Sequence, residues 1–160
     1  MEGCFACDLA SGRLDLPGGL IDETDHWLVE HCVGPLGVGT LVVKPRRHVV
    51  HVWDLTTAEA DELGPLFQRV ASALAELTEP DQIYVDLWSH AGGSPVHIHW
   101  VLQPVTRKLM DEFGVYGPAL QMLMFERGDD PARDEVESFA ATIRERLVTH
   151  QRSPRQSGNV

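Results

Sequence analysis

Residues 94–104 read SPVHIHWVLQP, and two histidines lie two positions apart in a run that is otherwise typical of a β-strand. Successive side chains of an extended strand point to opposite faces of a sheet. One face of this strand would therefore carry His97, His99, Val101 and Gln103. The other face would be wholly apolar, with Val96, Ile98, Trp100 and Leu102. The alternation predicts a strand that packs against a core on one side and presents two neighbouring imidazoles on the other.

The composition of the 160-residue chain predicts a single domain over residues 1–149. An apolar fraction of 43% and a charged fraction of 23% are ordinary for a soluble protein. No apolar run approaches the roughly 18–20 residues of a membrane span, and the start MEGCFACDLASG lacks the pattern of a secretory signal. We therefore expect a cytoplasmic protein with no membrane partner. The polar residues 150–160 are predicted to form a disordered tail.

The charge balance restricts the possible partners. The formal net charge of −11 would repel nucleic-acid backbones, so no nucleic-acid partner is expected. The compact basic cluster is Lys44, Arg46, Arg47 and His48. A small anionic ligand could still bind in a locally basic pocket of this kind.

The order of predicted elements indicates an α+β fold. Hydrophobic patterning and turn residues predict strands near residues 27–32, 40–43, 82–88 and 94–104. Helices are predicted near residues 57–77, 106–112, 117–126 and 132–148. Thr56 and Glu59 have the spacing of a capping box at the start of the first of these helices. Because the strands are grouped and not alternated with helices, we expect an antiparallel sheet with helices at its side.

The cysteines predict no disulfide framework, because three cysteines in a chain without an export signal argue against one. Cys4 and Cys7 form a CxxC motif near the start of the chain. The motif could be two small buried residues, or it could supply two ligands to a metal that takes two more from elsewhere. A redox role is disfavoured because no thioredoxin-like βαβ pattern follows.

The paired histidines are compatible with phosphate chemistry. A neutral imidazole can attack phosphorus and form a covalent intermediate. The small-residue loop before the strand could donate backbone amides to a phosphate, and Ser94 adds a hydroxyl group. The function of the histidines is therefore open at this point between metal binding, catalysis and packing.

The segment AGGSPVHIHWVLQP resembles the signature region of the histidine-triad (HIT) superfamily of nucleotidyl hydrolases and transferases. The segment GTLVVKPRRHV at residues 39–49 is similar to that family's strand, proline, basic pair and histidine. With the CxxC motif, the resemblance covers roughly residues 4–104. It implies an antiparallel sheet of about five strands with two main helices plus C-terminal helices, often paired as a homodimer.

The resemblance also implies site residues. It aligns His97, His99 and Val101 with the family's histidine triplet, so His99 is the expected nucleophile and the third histidine is replaced by Val101. A rival register would use Pro95, His97 and His99, but it breaks the alignment of both the loop and Pro104. The implied nucleotide- and phosphate-binding residues are Gly92, Gly93, Ser94, Gln103 and Glu30. Glu30 stands two residues before Cys32, which occupies the position of the family's ribose-binding acid.

The resemblance sharpens the interpretation of the CxxC motif. Several bacterial members of the family carry a zinc ion held by two cysteines and two histidines, and the resemblance implies that these are Cys4, Cys7, His48 and His97 here. Such a closed tetrahedral set implies structural zinc. Either His51 or His90 could replace His48 in this prediction.

Two functions follow from the sequence. The first is a nucleotidyl hydrolase or transferase that acts on a nucleoside phosphate or dinucleoside polyphosphate through His99. The alternative is a catalytically impaired nucleotide-binding module with a structural zinc, which the loss of a third histidine favours. The nucleobase, the leaving group and the acceptor are not defined by either interpretation.

Overall fold

The computed structural model describes residues 3–91 and 93–152. These residues form one five-stranded sheet with helices on both of its faces. The strands are β1 (Leu20–Glu23), β2 (Trp27–His31), β3 (Leu41–Pro45), β4 (Gln82–Ala91) and β5 (Ser94–Val105). The α-helices are α1 (Phe5–Ala10), α2 (Thr57–Thr78), α3 (Arg107–Phe113), α4 (Pro118–Arg127) and α5 (Arg133–Arg152). The fold is therefore the expected α+β architecture.

The sheet is antiparallel throughout, in the order β1-β2-β3-β5-β4. Val42 of β3 lies opposite Glu30 of β2 and Val101 of β5, so these three side chains share one face. His97 and His99 also belong to this face, because they are four and two residues before Val101 along β5 and alternate with Ile98 and Trp100. We call it the histidine face.

The other face carries the main core. Ile98 and Leu102 are fully buried there, and Trp100 makes edge contacts with Trp27 and Phe67. The helices α2 and α5 cover this face. Burying each of these aliphatic side chains contributes about 1.5–3 kcal/mol, so the apolar half of the 94–104 pattern fixes which side of β5 faces inward.

A capping box fixes the start of α2. The Thr56 hydroxyl accepts from the Glu59 amide, and a Glu59 carboxylate oxygen accepts from the Thr56 amide at 2.7 Å. The same carboxylate accepts two hydrogen bonds from Arg47, at 2.6 and 2.8 Å. The cap therefore also anchors the segment that leads to His48.

Part of the histidine face is covered as well. The helices α3 and α4 fold back over the far half of β5 and close a second apolar cluster. Its buried members are Leu36, Val101, Val105, Leu120 and Met124. Residues 107–127 therefore cover one end of this face. The N-terminal segment contacts the other end, which is nearer to His97.

The predicted strands and the four predicted helices are all present, with ends within a few residues of the expected ones. Three short elements were not predicted, namely α1, β1 and a 3₁₀ helix at Val52–Asp54, because six, four and three residues are too few to show a clear period. His31 of β2 is 1% exposed and accepts a hydrogen bond from the Gly39 amide through Nε2. The helix α5 extends through Arg152 into the range predicted as a tail, and residues 153–160 lie outside the described part.

No helix within residues 3–91 and 93–152 has both the length and the apolar character that a membrane crossing requires.

Candidate metal centre and active site

Four side chains converge where the N-terminal segment meets the histidine face: Cys4, Cys7, His48 and His97. Their potential ligand atoms all lie within 4.8 Å of one another. The His97 Nδ1 atom is 3.4 Å from the Cys7 Sγ atom and 3.9 Å from the Cys4 Sγ atom. The His48 Nδ1 atom is 3.5 Å from the Cys7 Sγ atom. These are the residues that the resemblance implied, and neither His51 nor His90 belongs to this cluster.

The dimensions of the cluster fit a tetrahedral zinc ion. Zinc bonds of about 2.3 Å to sulfur and 2.0–2.1 Å to nitrogen place neighbouring ligand atoms roughly 3.3–3.8 Å apart. The observed separations of 3.4, 3.5 and 3.9 Å match these edges. Two cysteines and two histidines leave no open coordination position, so the donor set suits a structural ion.

The orientation of the His97 ring supports metal binding. Its Nε2 atom lies 3.0 Å from the Pro45 carbonyl oxygen, to which it donates. The neutral ring then has its lone pair on Nδ1, directed toward the cysteine sulfurs. Burial, reinforced by the charge of His48, lowers the pKa of His97 to about 4. A neutral imidazole with its second nitrogen bonded to a carbonyl is the usual form of a metal-ligating histidine.

His99 is two residues further along the same face and is half-buried. Its Nδ1 atom lies 3.1 Å from the His97 carbonyl oxygen, so Nδ1–H is the donor and the lone pair belongs to Nε2. Burial lowers the pKa of His99 from its ordinary value. At neutral pH the ring is therefore neutral, with a nucleophilic nitrogen that no described side chain occupies with a hydrogen bond.

A buried ion pair lies beside the two histidines. The Lys44 ammonium group donates to a Glu30 carboxylate oxygen at 2.5 Å and to the Ala6 carbonyl oxygen at 2.9 Å. Both side chains are at most 4% exposed. The pKa of Glu30 is raised by burial, against the opposing charge of Lys44. The sequence identified Lys44 only as part of the basic cluster, although its alternation with Val42 along β3 places it on the histidine face.

The residues implied for phosphate and nucleotide binding are not brought together. Gly92 lies outside the described residues, whereas Gly93 and Ser94 form the exposed turn and start of β5. Gln103 is 1% exposed, and its Nε2 atom donates to the Leu36 carbonyl oxygen at 3.1 Å. Gln103 therefore lies under α4 and away from the loop, and Glu30 is held by Lys44 two strands from β5.

The position of the missing third histidine is closed. Val101 is 1% exposed within the second apolar cluster, in which Leu120 and Met124 of α4 participate. On the β4 side of His99 stands Trp88, with ring centroids 6.5 Å apart. Trp88 is half-buried and packs edge-on against Phe125 of α4. The open approach to His99 is thus bordered by aromatic side chains.

The comparison with known proteins identifies the class of fold. No family model matches the chain. A zinc-bound histidine triad family protein from Mycobacterium smegmatis superposes with a TM-score of 0.66 at 21% identity, covering 93% of this chain and 96% of that one. A hypothetical histidine triad nucleotide-binding protein from Sulfolobus tokodaii superposes with a TM-score of 0.70 at 17% identity, covering 93% and 95%. The chain therefore has the histidine-triad fold, which confirms the resemblance found in the sequence at the level of the fold.

A relative is also found by sequence. The Bacillus subtilis protein named "Protein hit" is 23% identical over 150 residues, which span 92% of this chain and 97% of that protein. The likeness therefore extends over nearly the whole length of both chains, beyond the 4–104 range seen from the motifs.

Proposed function

We propose that the protein binds a nucleoside phosphate at the 91–95 loop and transfers its nucleotidyl group through His99. The observation that carries this proposal is the hydrogen bond from His99 Nδ1 to the His97 carbonyl oxygen, which leaves Nε2 as the basic nitrogen. The similarity to a histidine triad nucleotide-binding protein agrees with it. Hydrolase and transferase outcomes differ only in whether water or another acceptor resolves the intermediate.

The proposed reaction has two displacements. In the first, the His99 Nε2 lone pair forms a bond to the α-phosphorus while the bond from phosphorus to the leaving-group oxygen breaks. The leaving oxygen takes a proton from water, because Val101 has no proton to give and the Gln103 amide is bonded inside the protein. In the second, water attacks phosphorus, the N–P bond breaks, and the lone pair returns to Nε2. The attacking water loses a proton to solvent, which neutralises the hydroxide formed when water protonated the leaving group.

The loop supplies the expected donors for the phosphate. The Gly93 amide and the Ser94 hydroxyl group are the proposed contacts. Gly93 lies in the exposed turn between β4 and β5, and Ser94 is the exposed first residue of β5. The proposal includes Gly92, which lies outside the described residues. Gln103 and Glu30 are not part of it, since both side chains are buried and already bonded within the protein.

We further propose that Cys4, Cys7, His48 and His97 hold a structural zinc ion, whose charge would favour the thiolate form of both cysteines. Burial raises the pKa of the Cys7 thiol, so a cation is needed to stabilise the thiolate there. His97 thereby fixes the start of β5, and the His97 carbonyl fixes the ring of His99.

A second candidate is a nucleotide-binding module without turnover. The specific observation in its favour concerns Val101, which stands in place of the third histidine. Val101 is buried under α4, so there is also no space for another proton donor at this position. In this case the loop and the zinc would remain, but the leaving group would receive no assistance.

The deciding experiment is to trap the intermediate. The protein is incubated with each of four α-³²P-labelled nucleoside triphosphates, quenched in alkali and separated on a gel, because a phosphohistidine adduct survives alkali and is lost in acid. We expect alkali-stable label on the wild type and none on His99→Ala. His26→Ala, at a histidine in the β1–β2 turn that pairs with Glu62, is the matched control and should be labelled like the wild type.

The two candidates give different results in this assay. If His99→Ala carries as much label as the wild type, nucleophilic catalysis by His99 is wrong. If the wild type carries no label but binds the same nucleotides in calorimetry, the binding module is the correct function.

We also propose that the protein is a homodimer through β4. This ten-residue strand is an edge of the sheet, with β5 as its neighbour on one side only. Val85 and Leu87 on it are 43% and 41% exposed. A long edge with exposed apolar side chains favours pairing with another strand. Sedimentation should give the mass of two chains, and Val85→Lys should shift it to one.

A further inference from the structure

The leaving group of the proposed reaction needs a proton. Val101, which stands in place of a third histidine, has none to give and is 1% exposed. The Lys44 side chain is also 1% exposed, and its ammonium group already donates to Glu30 and to the Ala6 carbonyl oxygen. Protonation by water leaves a hydroxide ion behind, so a positioned acid is a better donor. A side chain that reaches the space beside His99 would therefore raise the rate.

His90 lies on the histidine face, at the end of β4 that adjoins the loop. Trp88 of β4 pairs with His99, and His90 pairs with Pro95. Between these two pairs β4 advances by two residues and β5 by four. Both steps are even, so His90 is on the same side of the sheet as Trp88 and His99. A position diagonal to His99 has its Cα atom roughly 7–8 Å away, which lets two imidazoles flank one phosphoryl group.

The side chain of His90 is free to act on a bound substrate. It is exposed, and its Nδ1 atom lies 3.4 Å from the Ser89 hydroxyl oxygen, so its Nε2 atom remains available. Apart from the proposed nucleophile, the other histidines whose side chains the structure describes are each held elsewhere by a pairing, a ring contact or the metal cluster. They are His26, His31, His48, His51 and His97.

The ring of Trp88 turns away from the loop. It packs edge-on against Phe125 with ring centroids 5.5 Å apart, and its Nε1 atom donates to the Gln121 side chain at 3.4 Å. Both partners belong to α4, which covers the far end of the histidine face. The end that carries His90 and His99 is therefore left open for a phosphate and its leaving group.

We propose that His90 is the general acid of this reaction. As an imidazolium, it donates its Nε2 proton to the leaving-group oxygen while the bond from that oxygen to phosphorus breaks and His99 Nε2 bonds to phosphorus. The neutral His90 ring then takes a proton from the attacking water as the N–P bond breaks, so both rings return to their starting forms. This inference rests on the proposed function, and it puts His90 in the place of water as the proton donor.

The test compares two leaving groups on the full-length protein. The probes are the 4-nitrophenyl and the phenyl esters of AMP, GMP, CMP and UMP. Nitrophenolate leaves without a proton, whereas phenolate, with a pKa of about 10 like that of the tyrosine side chain, needs one. We expect His90→Ala and His90→Gln to lower kcat/KM by about 100-fold or more for the phenyl esters and by less than about threefold for the nitrophenyl esters. Glutamine keeps an N–H group at this position but transfers no proton.

Two controls accompany these variants. His26→Ala, at the histidine that pairs with Glu62, should leave both rates unchanged, and His99→Ala should abolish both. A merely structural effect of changing His90 would lower both rates by the same factor. Equal losses on the two kinds of ester, or no loss on the phenyl esters, would therefore overturn the assignment of His90 and leave nucleophilic catalysis by His99 intact. Failure of the wild type to cleave any of the esters would instead overturn the proposed function, and this inference with it.

Discussion

The carbonyl oxygen of His97 accepts the Nδ1 proton of His99 at 3.1 Å, while the ring of His97 points Nδ1 at the two cysteine sulfurs. One residue thus takes part in the candidate metal centre through its side chain and orients the candidate nucleophile through its backbone. Because the two rings keep different nitrogens free, they can have different functions on the same face of one strand.

Cys7→Ser should remove the metal. Zinc measured by mass spectrometry is expected to fall from about one ion per chain to a small fraction, because a hydroxyl group replaces a thiolate ligand. A loss of about 3 kcal/mol would lower the melting temperature by roughly 6–12 °C for a chain of this size. Cys32→Ala, at a cysteine outside the cluster, should keep its zinc. Full zinc content in Cys7→Ser would contradict the assignment.

Breaking the Lys44–Glu30 pair from one side should destabilise the protein strongly. Lys44→Met leaves the Glu30 carboxylate buried without a partner, and urea unfolding should show a loss of about 3–5 kcal/mol. The double variant Lys44→Met with Glu30→Leu should recover much of that loss, because no buried charge remains. The exposed pair Arg146–Glu76, at 3.3 Å, is the control. Arg146→Met there should cost less than about 1 kcal/mol.

Glu59 should make the stability depend on acid pH. Hydrogen bonds from Arg47 and Thr56 lower the pKa of Glu59 from 4.5 to about 2 in the folded chain. A carboxyl group with a depressed pKa stabilises the fold fully above its unfolded pKa, and this contribution is lost as the pH falls from about 4.5 to about 2. In urea unfolding, Glu59→Gln should therefore be less stable than the wild type at pH 7, with the difference shrinking toward pH 2.

The exposed substitution Glu145→Gln on α5 serves as the control for this pH series and should follow the wild type throughout. A constant difference between Glu59→Gln and the wild type across the acid range would show that the charge of Glu59 does not stabilise the cap.

Val101→His should not restore a histidine triad. Val101 is 1% exposed among apolar side chains, so an imidazole there would be buried without a hydrogen-bond partner. We expect a loss of stability of about 2–4 kcal/mol and no gain in nucleotide labelling. Val101→Ala leaves a cavity without a buried polar group, and its loss of stability should be smaller than that of Val101→His. Faster turnover in Val101→His would mean that α4 moves away from this face.

The sequence by itself determined the faces of β5 and the start of α2. These features depend on local regularities: strands alternate with a period of two, and a capping box needs only Thr56 and Glu59. The pairing of Lys44 with Glu30 could not be predicted from the sequence. The two residues lie on adjacent strands, and only the register between β2 and β3 brings them to diagonal positions. The sequence also left His48, His51 and His90 open as the fourth ligand.

Tertiary structure decided those questions. The path from β3 brings His48 to the cysteines, whereas His51 stacks on Trp53 and His90 lies on the exposed end of β4. The docking of α4 buries Gln103 and Val101, which the strand pattern alone placed on an open face beside His99. The physical reason is that alternation fixes on which side of a strand a residue lies, but only the packing of segments distant in sequence decides whether that side meets solvent, a metal or another helix.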